Sequence, residues 1–224
     1  MTNTLHRYGS AASFHDDYII FALPSIGNND EGCVPKLKEF LRICAKYGPS
    51  NMGNGREASF SPDKTLNPTS HWKRDVKPHW KEVIDKVSGP GTVAAVFSSE
   101  EKAKSCFREV FEKDFGLSIN MSTSVENTKN IADSCGIKRH SIEYALAFND
   151  PHDHLPNSQI LELSTMCGHG MVSFNLARKM LDMVREGRRT STEAASTLVR
   201  FCPCGVYNPD RAKRLLEKDI KEQR

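Results

Sequence analysis

The sequence predicts an α/β protein with a mainly parallel sheet of about four strands and flanking helices, followed by an all-helical C-terminal segment. Three observations carry this prediction. Short, nearly all-apolar runs recur at 17–24 (DYIIFALP) and 92–97 (TVAAVF), as in strands buried on both faces. Stretches with helical apolar spacing alternate with such runs, which argues for a mainly parallel sheet with helices against its faces. Beyond 156 only helical stripes are left. The 224 residues suit a single domain, or one domain with an appended subdomain, with enough chain for a sizeable core. The expected organisation is an α/β domain over 1–150, with an irregular loop at 49–78, and a helical segment over 151–224 packed on the same domain.

In chain order, 17–24 is the first strand and 25–32 (SIGNNDEG) a polar loop at its end. Apolar residues at 37, 40, 41, 43, 44 and 47 form a helical stripe over 34–47, which Gly48-Pro49 terminates. Cys44 lies on that stripe and reads as core packing, since a free cysteine behaves as a small hydrophobe. Residues 49–78 show no sustained period and are rich in Gly, Asn, Ser and Pro, the composition of a functional lid or a solvent loop. Within it, 51–56 (NMGNGR) offers backbone amides, Asn54 and the Arg56 guanidinium to an anion. It lacks the Gly-Lys-Ser/Thr ending of a P-loop. His71, Trp72, His79 and Trp80 suit either a binding face or packing of the loop onto the core.

From 92 the pattern is regular. A strand at 92–97 leads to a helix over 98–115, whose Ser98-Ser-Glu-Glu start supplies a serine cap and acids at the helix N-terminus. Then come a strand at 117–121, a helix at 125–135 closed by Gly136, and a fourth strand at 141–148. A ferredoxin-like arrangement of 90–148 is the competing reading. Cys106 and Cys135 fall inside helical patterns and read as structural. The loop at 149–156 (NDPHDHLP) follows the fourth strand, and ligands collect beyond strand carboxyl ends in open α/β sheets. His152 and His154, a His-x-His pair flanked by Asp150 and Asp153, are therefore candidate metal or substrate ligands; a solvated Asp-Pro turn is the plainer alternative. Four helices complete the chain at 157–163, 171–187, 192–201 and 208–221. Thr190 to Glu193 fits a capping box, and Asn208-Pro209 an N-cap followed by proline.

The chemistry concentrates in 164–205. Cys167 sits in a Cys-Gly-His-Gly turn that opens the 171–187 helix, and Cys202 and Cys204 in a Phe-Cys-Pro-Cys-Gly turn after the next. The first helix climbs roughly 25 Å, and an antiparallel return of roughly 15 Å plus extended chain brings the pair nearly back to Cys167. Amides of the following helix favour thiolate at Cys167. Three thiolates select zinc, copper(I) or an iron–sulfur cluster, and a four-iron cluster so held keeps one iron open to substrate as a Lewis acid. His169 suits proton transfer at that position. Zinc with His169 as fourth ligand is less favoured, because the 34 intervening residues and the tight Cys-Pro-Cys depart from zinc-knuckle spacing. The expected site opens toward one sheet edge lined by the loops after 24, 97 and 148.

Met166 to Gly170 (MCGHG) resembles the cysteine motif of proline racemases, in which a thiolate at a helix N-terminus acts on a substrate α-carbon. The likeness covers five residues. The second cysteine motif and the two-halved pattern of that family are absent, so it implies only that this local sequence suits an exposed cysteine bound by helix amides.

Composition narrows the partners. The chain is 38% hydrophobic and 26% charged, with a formal charge of +3, too small to argue for nucleic acid. No apolar run approaches the ~20 residues that span a bilayer, and the N-terminus lacks the apolar core of a secretory signal. A cytoplasmic location is expected, with its seven cysteines mostly reduced. The expected protein binds an iron–sulfur cluster, 4Fe-4S, on Cys167, Cys202 and Cys204, and uses it for lyase- or desulfurase-like chemistry. Its expected substrate is a small anion, held by Asn54, Arg56, His152 and His154. The alternatives are a metal-free enzyme with Cys167 as nucleophile or base, and a non-catalytic zinc or other metal module. The number of copies in the assembly is left open, a homodimer included.

Overall fold

The computed structural model of the chain describes residues 5–56, 79–139, 141–142, 155–202 and 204–222. Strand β1, Tyr18–Leu23, is buried along its whole length. Its side chains divide by the two-residue period: Ile19, Phe21 and Leu23 enter one core, Tyr18, Ile20 and Ala22 the other. Helix α1, Cys33–Lys46, follows, then β2, Asn51–Asn54, helix α2, Trp80–Asp85, and β3, Val93–Phe97. Helix α3, Glu100–Lys113, starts where Ser99 accepts the Lys102 amide proton and Glu100 and Glu101 face the positive helix end. Strand β4, Ser118–Ser122, and helix α4, Val125–Ser134, capped by Ser124, complete this part.

The four strands lie in the order β2-β3-β1-β4, and every neighbouring pair is antiparallel. This overturns the expected parallel sheet. Apolar periodicity locates strands but carries no information on their direction. Each helical crossover here skips one position: α1 links β1 to β2, which runs the same way two places along, and β3 fills the gap in the opposite sense. Likewise α3 links β3 to β4 across β1. This is the split βαβ order of a ferredoxin-like sheet, spread over 18–122 instead of 90–148. The central strands β1 and β3 are almost wholly apolar because helices cover both faces, which mimics a parallel sheet. The expected strand at 141–148 falls mostly outside the described residues, and 141–142 are not strand. Since β1 and β3 oppose each other, Leu23 and Phe97 end at opposite sheet edges, so the loops after 24 and 97 do not share one edge.

Two cores result. Helices α1, α2 and α3 press Leu37, Phe40, Leu41, Ile84 and Val110 against Tyr18, Ile20, Met52, Ala95 and Phe97. The opposite face carries helices α5, Ser158–Thr165, α6, Phe174–Arg185, α7, Ser191–Val199, and α8, Pro209–Glu222. Their Leu163, Leu181, Leu198 and Leu216 pack onto Ile19, Phe21 and Val96, each such side chain contributing about 1.5–3 kcal/mol by leaving water. Helix α6 begins at Phe174, capped by Ser173, which leaves 168–172 to form a turn. Thr190 and Glu193 make the reciprocal capping box at the start of α7. Among the described residues no helix is long and apolar enough to cross a membrane.

Candidate functional site: a buried thiol cluster

The first cysteine turn is made by the end of α5. Gly168 and Gly170 both adopt left-handed backbone, φ 71° and 70°, so the chain reverses twice within four residues. Ser164 holds the turn by donating its hydroxyl to the Val172 carbonyl. Cys167 is fully buried, not exposed as the racemase-like motif implied. Its sulfur accepts the Met171 amide proton at 3.2 Å. That amide belongs to the turn, three residues ahead of α6, so the donor is not the helix terminus that the sequence suggested.

The second turn lands on β2. After α7 the Phe201 and Cys202 amides close onto the Leu198 and Val199 carbonyls, at 3.1 and 3.0 Å. Pro203 lies outside the described residues. Gly205 meets Gly53 backbone to backbone: a Cβ on Gly53 would stand 2.6 Å from the Cys204 carbonyl carbon and oxygen. Only glycine permits this approach. The Asn51 side-chain amide donates to the Tyr207 carbonyl at 3.0 Å, and the Tyr207 hydroxyl to the Leu163 carbonyl at 2.9 Å. Strand, turn and α5 are thereby tied together around the sulfur atoms.

Cys202 and Cys204 have their sulfurs 3.8 Å apart, and His169 Nδ1 is 3.3 Å from Cys204 Sγ. Cys167 is near enough to act electrostatically on Cys204 and on Tyr207. The hydrogen bond with Cys202 holds the Cys204 thiol below its ordinary range, and the Val206 amide acts in the same sense. The same contact pushes the Cys202 thiol well up, with burial adding to it, although the Val206 and Tyr207 amides oppose the shift. His169 is exposed and lies against Cys204. All seven cysteines are free thiols. Among the described residues no group of three or more His, Cys, Asp or Glu is arranged to hold a metal ion. The 3.8 Å separation is also that of two thiolates on one tetrahedral ion with ligand bonds of ~2.3 Å. It is shorter than the separation on the order of 6–7 Å expected of cysteines on different irons of a cluster.

A buried ionic network adjoins the thiols. Residues 5–8 cross the first turn, with the His6 amide donating to the Gly168 carbonyl at 3.2 Å and the Tyr8 amide to Thr165 Oγ1 at 2.9 Å. Between them Arg7 turns inward to Asp17, which also receives Arg211 at 2.8 Å. Arg211 reaches Glu162 at 2.9 Å, and both guanidiniums lie over the Phe14 ring, at 5.1 and 4.1 Å. Burial lowers the Arg7 pKa, Asp17 opposes the shift, and Cys202 acts in the same direction as Asp17. No sequence signal marks Arg7 or Gly53; only the sheet pairing and the docked turn reveal them.

The other predicted ligands are placed differently. Asn54 is buried in β2, its side-chain oxygen accepting the Arg56 amide proton at 3.0 Å. Arg56 folds over Gly89 and donates to the Pro90 carbonyl at 3.3 Å, so its guanidinium serves that turn. His152, His154, Asp150 and Asp153 lie outside the described residues, as do His71 and Trp72. His79 precedes α2, and Trp80 packs against the α1 core. No family model, curated protein or solved structure matches the chain.

Proposed function

We propose that the protein binds an iron–sulfur cluster, 4Fe-4S, through Cys167, Cys202 and Cys204. One iron is then free of protein thiolate, and the protein acts as a lyase- or desulfurase-like enzyme on a small anion. The observation that carries the reading is the setting of the sulfurs. Three buried thiols from two chain segments lie in one core, and each has backbone amides acting on it: Met171 on Cys167, Val206 and Tyr207 on Cys202, Val206 on Cys204. Amide protons aimed at sulfur favour thiolate and tune cluster potentials. Burial of Cys167 and Cys202 suits ligands better than nucleophiles, which need access. Cys202 and Cys204 must part by side-chain rotation to take different irons.

When bound, such a cluster supplies a Lewis-acidic iron. The chain would supply the rest: amides hold the sulfurs, α5 to α8 keep water from them, and the exposed His169 beside Cys204 gives or takes a proton. Reconstitution without oxygen, followed by iron and acid-labile sulfide counts, tests the reading. Wild-type protein should bind both in equal amounts, and Cys167→Ser, Cys202→Ser and Cys204→Ser should each lose them. Stoichiometric zinc, or no metal, contradicts it. His169→Ala should keep the metal and lose turnover; loss of metal would make His169 a ligand.

The His169 contact and the lowered Cys204 pKa favour one second reading, a metal-free thiolate enzyme. Its reactive sulfur would be that of Cys204, in place of the expected Cys167. Stoichiometric inactivation by iodoacetamide at Cys204, in active protein free of metal, would establish it.

A further inference from the structure

We propose that Cys202 and Cys204, in the chain free of metal, form a reversible dithiol–disulfide couple that exchanges with low-molecular-weight disulfides of the glutathione class. This activity goes beyond the cluster reading and does not depend on it. Geometry carries the inference. The two sulfurs stand 3.8 Å apart on one turn, and a disulfide bond of ~2 Å is reached by a relative shift of about 2 Å. The backbone on either side is fixed. The Phe201 and Cys202 amides close onto the Leu198 and Val199 carbonyls, and Gly205 lies against Gly53. One residue separates the two cysteines, so their disulfide closes a small ring. Strained disulfides are the readily reduced ones, suited to turnover more than to bracing a fold.

Access orders the two thiols. Cys204 is 8% exposed, whereas Cys202 and Cys167 are 0% exposed. The exposed His169 lies against Cys204, and the residues after it are open as well: Met171 is exposed, and a Cβ on Gly170 would meet no atom within 4 Å. A sulfur this recessed admits a slender linear disulfide and not the disulfide of a folded protein, which sets the substrate class. Cys204 is therefore the attacking thiol and Cys202 the resolving one. In the first step His169 Nδ1, 3.3 Å from the sulfur, takes the Cys204 proton. Cys204 Sγ bonds to one substrate sulfur, the substrate S–S bond breaks, and the departing thiolate takes up that proton. In the second step Cys202 Sγ bonds to Cys204 Sγ, the bond from Cys204 to the half-substrate breaks, and the second thiolate leaves with the Cys202 proton. One substrate disulfide is reduced to two thiols while the dithiol is oxidised, and excess thiol reverses both steps. Cys44 and Cys106 provide the internal control. Their sulfurs are 3.7 Å apart, but both residues are 0% exposed within an apolar core, out of reach of a small disulfide.

The test incubates the reduced full-length chain, stripped by chelator and assayed free of iron and zinc, with oxidised glutathione. Remaining thiols are then blocked and mapped by mass spectrometry. The peptide holding Cys202 and Cys204 should lose two hydrogens as two reduced glutathiones appear per chain, with Cys44 and Cys106 still thiols. Cys202→Ser should stop at one glutathione bound to Cys204; Cys202→Ala replaces it if the serine variant does not fold. Cys204→Ser should slow glutathione release about tenfold or more. A wild-type chain that keeps both thiols, or that accumulates the glutathione adduct on Cys204 without resolving it, overturns the couple. So does a disulfide between Cys44 and Cys106 that forms equally fast, since proximity alone would then explain the reaction.

Discussion

Two pairs of cysteines face each other across the sheet with nearly equal separations. Cys44 and Cys106 join α1 to α3 with sulfurs 3.7 Å apart, and Cys202 and Cys204 stand 3.8 Å apart on the opposite face. Distance does not distinguish them; their surroundings do. Burial, then the Cys106 thiol, pushes the Cys44 pKa well up, and both side chains lie in a core of Leu37, Phe40, Leu41 and Val110. Such a pair is packing. Around the second pair stand the His169 imidazole and backbone amides, and the Cys204 pKa moves down. Of these two pairs, the second alone has polar groups arranged to receive negative charge on sulfur.

Substitutions on the two faces should separate these roles. The largest effect should come from Asp17→Ala, which strands two buried guanidiniums on the thiol side and costs about 3–5 kcal/mol in urea unfolding. Next, Gly53→Ala forces a methyl into the Cys204 backbone; it should cost about 1–3 kcal/mol and lower metal loading as the turn lifts from β2. On the other face, Cys106→Ala should cost about 1–2 kcal/mol by thermal unfolding and leave metal loading unchanged. Metal lost in that variant would erase the contrast. A smaller effect is expected from Tyr207→Phe, about 1 kcal/mol, for its hydrogen bond to Leu163. Without metal, Cys204 should alkylate at lower pH than an ordinary thiol, because its lowered pKa leaves more thiolate below 9.0. Cys44, raised, should resist until the chain unfolds.

Much of the element pattern was legible because burial writes itself as period: β1, β3, α1 and α3 lie within a residue or two of where apolar spacing puts them. Strand direction was not, since TVAAVF reads the same whichever way its neighbours run. Strand β2 escaped because Asn51-Met-Gly-Asn has low strand propensity, and its Gly53 is explained only by a turn 150 residues onward. For the site, helix lengths suggested where Cys202 and Cys204 return, and the structure puts Cys204 against His169. Arg7 and Asp17 carried no signal, since a buried ion pair looks like surface charge until its partners are known. Arg56, the guanidinium that the sequence favoured, is engaged elsewhere at Pro90.

The most direct test of the cluster reading is X-ray absorption at the metal edge of wild-type protein purified without oxygen. An iron edge, a sulfur-dominated first shell and a clear metal–metal scattering path are expected, all lost when Cys202 and Cys204 are both changed to serine. A zinc edge with three sulfurs and one nitrogen and no metal–metal path would contradict it, as would protein that carries no metal at all.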